Sequence, residues 1–123
     1  MADNKEYITY SENKGDINIS EEVIAVIAAN AAAETEGVAA LATTLSKDIA
    51  EFLGKKNTSK GVKINIGDES VTIDVFVHVK LGYTVNKVGE DVQNAVAAEV
   101  ESATGFPVAA VNVRICGVAL ERE

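Results

Sequence analysis

The strongest constraint on the fold is a pair of alternating apolar and polar stretches with a short polar turn between them. Residues 62–66 and 71–80 carry apolar side chains at every second position, and residues 67–70 have the sequence Gly-Asp-Glu-Ser. Period-two alternation is typical of strands with one buried face, and this turn composition favours a hairpin. The sequence therefore predicts an antiparallel hairpin that buries one of its faces.

Two amphipathic helices are predicted on either side of this hairpin. The first follows Ser20, a favourable N-cap residue, and extends over about 21–36, whereas the second extends over about 85–103. In both segments apolar residues recur three and four positions apart, which indicates one buried stripe on each helix. A short additional helix is predicted at 46–52.

Short strands are predicted at both ends of this arrangement. Residues 15–19 alternate as a strand should, and residues 111–116 alternate with Val111, Val113 and Ile115 directed inward. The order strand, helix, short helix, hairpin, helix, strand predicts an α+β fold, in which two main helices pack on one face of a small mixed or antiparallel sheet.

Length and composition predict a single domain with short tails. A chain of 123 residues is long enough to bury one core. Residues 1–14 are dominated by polar and charged side chains, so we expect a flexible N-terminal tail there. The domain is predicted to span 15–119, and 120–123 to form a charged C-terminal tail.

Charge and hydropathy restrict the partners that this chain can bind. A formal net charge of −8 disfavours binding to the phosphate backbone of nucleic acids. We find neither an apolar signal segment nor a stretch apolar enough to span a bilayer, so a cytoplasmic protein without direct membrane insertion is expected. Cys116 is the single cysteine, which excludes an intrachain disulfide and fits a reducing compartment.

Residues that could carry out catalysis or hold a metal ion are scarce. His78 and Cys116 could lie close together if their strands pair, which would allow a Cys-His dyad. An ordinary strand histidine and a half-buried cysteine are the favoured interpretation, because no third group is available to orient the dyad. The acidic clusters lack the ligand spacing of a calcium loop. We therefore predict no catalytic residue, no metal site and no cofactor.

A lysine-rich loop is the main positive feature of the chain. It contains Lys55, Lys56 and Lys60, with Lys63 close by. Aromatic residues are not interleaved with these lysines, and the Gly-x-x-Gly loop of an RNA-clamping module is missing. A solvated loop is favoured, and RNA binding stays a weaker alternative.

The sheet face opposite the helices is the candidate partner-binding face. On this face Phe76 beside Arg114 has the composition of a protein-contact hot spot. An equally favoured alternative is that Asp74 pairs with Arg114 across the strands and that a shielded Phe76 stabilises the sheet. The predicted face consists of Asp74, Phe76, His78, Lys80, Asn112 and Arg114.

Several short segments resemble the alkaline shock protein family of small bacterial envelope-stress proteins, over about residues 15–119. These segments are Leu53-Gly54-Lys55-Lys56-Asn57 leading into Lys60-Gly61-Val62-Lys63, the pair Val92-Gln93, the pair Thr104-Gly105, and Val111-Asn112-Val113 with Gly117-Val118. The chain departs from the commonest family pattern at Tyr83-Thr84-Val85 and at Phe106-Pro107, so the resemblance does not assign a subgroup.

The resemblance implies a non-enzymatic cytosolic protein of Gram-positive-type bacteria. Some family members are held at the membrane by a separate anchor protein and contribute to envelope stress tolerance, while others are linked to control of fatty-acid synthesis. The leading hypothesis is accordingly a binding or scaffold protein in envelope homeostasis, and the alternative is a soluble regulator of a metabolic enzyme. Edge strands and an open sheet face also make self-association plausible.

Overall fold

The computed structural model describes residues 7–42 and 61–120. These residues form an α+β fold of two helices and two sheets, which confirms the predicted fold class. The predicted helix at 46–52 and three of the loop lysines, Lys55, Lys56 and Lys60, lie outside the described residues. The strands are β1 (Tyr7–Glu12), β2 (Gly15–Ser20), β3 (Val38–Leu41), β4 (Val62–Ile66), β5 (Val71–Lys80) and β6 (Val108–Ala119), and the helices are α1 (Glu21–Ala33) and α2 (Val85–Thr104).

Strand β5 is the central strand of the larger sheet. It pairs antiparallel with β4 over its first half and antiparallel with β3 over its second half, and parallel with β6 along almost its whole length. The sheet is therefore mixed, and the predicted β4–β5 hairpin is confirmed. The parallel pairing of β5 and β6 follows from the crossover through α2, because such a connection returns the chain in the same direction.

Strands β3 and β4 share one edge of β5 and meet at Phe76. The backbone N–H of Phe76 donates to the carbonyl of Gly61 at 2.9 Å, and its carbonyl accepts from the N–H of Ala42 at 2.8 Å. Backbone groups of a single strand residue point to the same side. Ala42 and Gly61 thus lie on this edge at the level of one residue of β5.

Both helices pack on one face of this sheet, as predicted. α1 contacts β3, β4 and β5, while α2 contacts α1 and β6. The alanines of α1 have no bulky side chain to keep it away from the sheet, and α2 contributes a stripe of valines four residues apart. The fully or almost fully buried core residues include Ile24, Ala25, Ala28 and Ala32 of α1, Ile73, Val75 and Val77 of β5, and Val88, Val92, Val96 and Val100 of α2.

The start of α1 agrees with the prediction and its end does not. The hydroxyl of Ser20 accepts from the N–H of Val23 at 3.3 Å and caps the helix. The helix ends at Ala33, and the chain turns towards β3 through Gly37, whose φ of +95° suits glycine. The apolar spacing of three and four residues also places Val23 on the predicted buried stripe, and this is wrong because Val23 is 46% exposed.

The expectation of a flexible tail over residues 1–14 is wrong for Tyr7–Glu12, which form β1 and pair in antiparallel register with β2. Ile8 is buried, and the Tyr10 hydroxyl donates to the carbonyl of Thr104 at 2.7 Å. The Tyr10 ring also meets Phe106 edge-on, with ring centroids 6.5 Å apart. Polar residues dominate the segment, yet two alternating apolar side chains are enough to anchor a strand. The domain limits of 15–119 stay a prediction.

Strand β3 was not predicted at all. Its four residues, Val-Ala-Ala-Leu, do not alternate between apolar and polar types, so they give no period-two signal. The strand forms because the edge of β5 beyond Phe76 would otherwise leave unpaired backbone groups.

Removing the Tyr10 hydroxyl tests the attachment of the β1–β2 hairpin. We expect Tyr10→Phe to lower the free energy of unfolding by about 1 kcal/mol, because it removes one half-buried hydrogen bond. Tyr7→Phe is the matched control, since Tyr7 is 52% exposed and the same change there is expected to have little effect. Urea denaturation of both variants gives the comparison, and equal stabilities would contradict it.

A pair of glycine substitutions tests the close packing between Gly37 and α2. A Cβ on Gly37 would lie 2.6 Å from Cγ2 of Val88, whereas a Cβ on Gly82 would meet no atom within 4 Å. Both glycines have φ near +100°, so the backbone strain from alanine is similar at the two positions. We expect Gly37→Ala to cost about 1–3 kcal/mol more than Gly82→Ala in thermal or chemical unfolding, because of overpacking. Equal losses would show that α2 moves away without cost.

Candidate functional site

The predicted partner-binding face divides into a buried centre and an accessible part. Asp74 and Phe76 on β5 are only 6% and 2% exposed. His78 is half-buried, and Lys80 at the end of the strand is exposed. On β6, Asn112 and Arg114 are exposed. The structure therefore does not present these six residues as one open surface.

Phe76 is not the exposed aromatic of a contact hot spot. It lies on the central strand, with Arg114 of β6 opposite it in register and the β3–β4 junction on the other side. Its side chain is only 2% exposed. Of the two alternatives weighed from the sequence, the structure supports a shielded Phe76.

The carboxylate of Asp74 is bound by an amide, and not by the guanidinium of Arg114 across the strands. The register places Asn112 opposite Asp74, and Nδ2 of Asn112 donates to Oδ1 of Asp74 at 2.8 Å. A buried carboxylate needs such a donor, because burial without a partner is costly. This pair ties β5 to β6 on the outer face through side chains as well as backbone.

The accessible polar groups of this face are concentrated on β6. We call Asn112, Arg114 and Cys116 the β6 rim, since all three are exposed and lie on the side away from the helices. Arg114 is its single charged residue. The outward direction that the sequence predicted for these three side chains is confirmed.

The surroundings of Cys116 do not activate its thiol. The register pairs His78 with Gly117, and the Cys116 thiol donates to the carbonyl of Arg114 at 3.7 Å. Burial raises the pKa of Cys116, while the charge of Arg114 and a backbone hydrogen bond to Val77 lower it in part. A nucleophilic cysteine requires the opposite shift, because the thiolate is the reactive form.

A groove that sequence reasoning missed lies between the end of α1 and the middle of α2. Its lining includes Ala31, Ala95 and Ala98, and it has a volume of about 470 Å³. No local sequence signal could have revealed it, because its lining comes from two separate segments of the chain, 31–36 and 91–99. Its acidic lining disfavours anionic ligands. The carboxylates around it belong to Glu34, Glu36, Asp91 and Glu99.

Lys87 and Asp91 form an ion pair beside this groove, with 2.9 Å between Nζ and Oδ1. The hydrogen bond to Asp91 raises the pKa of Lys87, and the negative charges of Asp91, Glu90 and Glu36 add to this effect. Lys87 therefore keeps its charge at neutral pH and offsets part of the acidity. Because the pair is exposed, its contribution to stability is small.

Within 7–42 and 61–120, no group of three or more His, Cys, Asp or Glu side chains is arranged to hold a metal ion. Neither helix in this part of the chain is sufficiently long and apolar to cross a membrane. Fold and surface together define a small α+β domain whose accessible features are a polar strand rim and an acidic groove.

The chain belongs to the alkaline shock protein family, a family with a cell envelope-related function, whose sequence model matches residues 9–120. This confirms the resemblance found in the sequence. Two relatives from Bacillus subtilis are the uncharacterised proteins YqhY and YloU. YqhY is 36% identical over 104 residues, which cover 85% of this chain and 77% of YqhY. YloU is 34% identical over 106 residues, covering 85% of this chain and 88% of YloU.

Relatives also occur in Streptococcus pyogenes, where the uncharacterised protein Spy1535 is 32% identical over 113 residues, covering 91% of this chain and 85% of Spy1535. Among solved structures, a variant of MamM CTD is similar with a TM-score of 0.50 and 16% identity, covering 84% of this chain and 99% of that chain. At such low identity the likeness concerns the fold alone.

The reactivity of Cys116 offers a test of its surroundings. We expect the pH profile of its reaction with a disulfide reagent to have a higher midpoint in the folded protein than in denaturant, because burial raises the thiol pKa. Arg114→Gln should move the folded midpoint further upward, since the positive charge of Arg114 lowers this pKa. The denatured variant serves as the control and should match the denatured parent. A folded midpoint at or below the denatured one would contradict the prediction.

Proposed function

We propose that this protein is a non-enzymatic binding or scaffold protein in cell-envelope stress homeostasis, recruited to the membrane by a protein partner. Its membership of a family with a cell envelope-related function carries the proposal. Recruitment by a partner would place such a domain at the envelope without a membrane span of its own.

The chemistry of the described residues supports a binding role over catalysis. The thiol of Cys116 has a raised pKa and no hydrogen bond to His78, so the one conceivable dyad is not assembled. Buried Asp74 is held by Asn112 in a structural pair. Neither arrangement supplies the activated nucleophile or paired acid and base that enzymes need.

The β6 rim and the nearby end of β5 form the proposed partner contact. Arg114 and Lys80 are exposed cations on a chain whose net charge is −8, so they are local exceptions to its acidity. Arginine is enriched in the contact centres of protein interfaces, because its planar group makes several hydrogen bonds at once. A partner segment with carboxylates would match this surface. In this proposal Asp74, Phe76 and His78 support the surface from beneath.

A second candidate function is the regulation of a metabolic enzyme, such as one of fatty-acid synthesis, through the same rim. Co-purification with that enzyme, and not with a membrane anchor protein, would favour it. RNA binding through the lysine-rich loop is a weaker third candidate. It requires an affinity that falls steeply with salt and disappears when Lys55, Lys56 and Lys60 are replaced by Ala.

The cellular position of a functional fluorescent fusion tests the leading proposal. We expect a peripheral signal in the native host, and its loss with Arg114→Glu because the variant reverses the rim charge. Lys14→Glu is the matched control, since it makes the same charge change at an exposed position outside the larger sheet. This control is expected to keep the peripheral signal.

A diffuse signal for the parent protein would contradict membrane recruitment and favour the soluble regulator. A peripheral signal that Arg114→Glu leaves unchanged would contradict the β6 rim as the contact. Two further results would together overturn the proposed function itself. One is that deletion of this protein leaves envelope stress tolerance unchanged, and the other is that no membrane-linked partner can be crosslinked to it.

A further inference from the structure

The outer edge of β6 is a long strand edge. β6 has 12 residues, and among the described residues it pairs with β5 alone. Edge strands present rows of backbone N–H and C=O groups that can pair with another chain. Natural proteins therefore keep such edges short, or protect them with lysine, proline or a covering element.

One hydrogen bond shows the direction in which the outer backbone groups of β6 point. Nε2 of Gln93 on α2 donates to the carbonyl of Val111 at 3.1 Å, so this carbonyl points away from β5. Because backbone groups alternate from side to side along a strand, the groups of Val113 and Ile115 point the same way. Gln93 covers one acceptor of this edge, and the carboxylate of Glu101 accepts from the N–H of Val108 at 2.9 Å. Among the described residues, the edge is therefore left open from Val113 onward.

The composition of β6 gives its edge little protection. It contains neither proline nor lysine, and Arg114 is its single charged residue. Large apolar side chains are exposed close to it, at Val118 (45%) and Leu120 (67%), and Val85 at the start of α2 is 40% exposed. An open groove of about 280 Å³ between α2 and β6 is lined in part by Val85, Val113 and Ile115. Together these features form a partly apolar margin that a further strand can cover.

We propose that β6 pairs antiparallel with β6 of a second copy of this chain, across a two-fold axis that passes Val113. In this register Val113 lies opposite itself, Val111 opposite Ile115, and Asn112 opposite Arg114. The apolar side chains of both copies then extend on the helix side, and the polar ones on the outer side. This self-complementarity is what a symmetric interface requires.

The charge distribution favours a second copy at this edge. The chain has 19 acidic residues, yet Val108–Ala119 contains none of them. Two copies that meet along β6 therefore bring no carboxylate of the strand itself to the shared edge, and the nearby carboxylates come from α2, at Glu101 and Glu90. The proposed register also avoids placing the two Arg114 side chains directly opposite each other, since each faces Asn112 of the second copy.

Pairing along β6 would join the two larger sheets into one and bring both β6 rims onto a continuous outer face. The use of that face by an envelope partner rests on the proposed function. The pairing itself does not, because it is measured with the purified protein alone.

Light scattering coupled to size exclusion tests the pairing. We expect the purified chain to have twice the 12.9 kDa mass of one copy. Val113→Pro should give a monomer, because proline lacks the N–H that would bond to the second copy. That N–H points away from β5, so the substitution leaves the hydrogen bonds between β5 and β6 in place. Circular dichroism is measured on the same sample to show that the variant is folded. A parent protein that is monomeric at all concentrations, or a folded Val113→Pro variant that stays dimeric, would overturn the proposal.

A disulfide test gives an answer that does not depend on the proline variant. The proposed register places Ala110 opposite Cys116 of the second copy, and both residues are exposed. Cys116 is the sole cysteine of the chain. In the Ala110→Cys variant, mild oxidation should therefore produce a covalent dimer, in which the new thiol of each copy forms a disulfide with Cys116 of the other copy. Ser11→Cys on β1 is the control, with an exposed new thiol that the register does not place near Cys116. Equal crosslinking of the two variants would overturn the register.

Discussion

The packing of α1 on the apolar side of β5, with α2 held against α1 and β6, is the interaction on which the rest of the structure depends. Within the described chain, β5 alone has strands on both of its edges, so β3, β4 and β6 each take their position from it. The inward residues of β5 are almost completely buried in the core that the sheet and the helices share. Burial of one valine or isoleucine side chain contributes about 1.5–3 kcal/mol, and five such residues alternate along this strand. Displacement of either helix would therefore expose the centre of the domain.

Sequence patterns predicted this central part well because it obeys simple periodicities. The β4–β5 alternation, the valine stripe of α2 and the serine cap of α1 each follow a local rule. The failures have a common physical origin, since alternation shows which side chains share a face and not what covers that face. The sequence did not decide between an exposed and a shielded Phe76, which is buried, and it assigned Tyr10 to a flexible tail, although Tyr10 bonds to a residue 94 positions away. Such contacts are set by tertiary structure alone.

The candidate site was predictable in part for the same reason. The outward positions of Asn112, Arg114 and Cys116 follow from the alternation of β6, but the pairing of Asp74 with Asn112 depends on the β5–β6 register. That register includes two irregularities, which a sequence does not reveal. The acidic groove arises only when the end of α1 meets α2. The described surface therefore has a strand rim with one positive charge on the sheet face away from the helices and a negative groove between the helices.

The junction at Phe76 couples the two short strands of the larger sheet. Because β3 ends and β4 begins beside the same residue of β5, the backbone groups of Ala42 and Gly61 both bond to Phe76. A backbone shift at Phe76 would therefore act on β3 and β4 at once. One position of the central strand thus sets the limits of two edge strands.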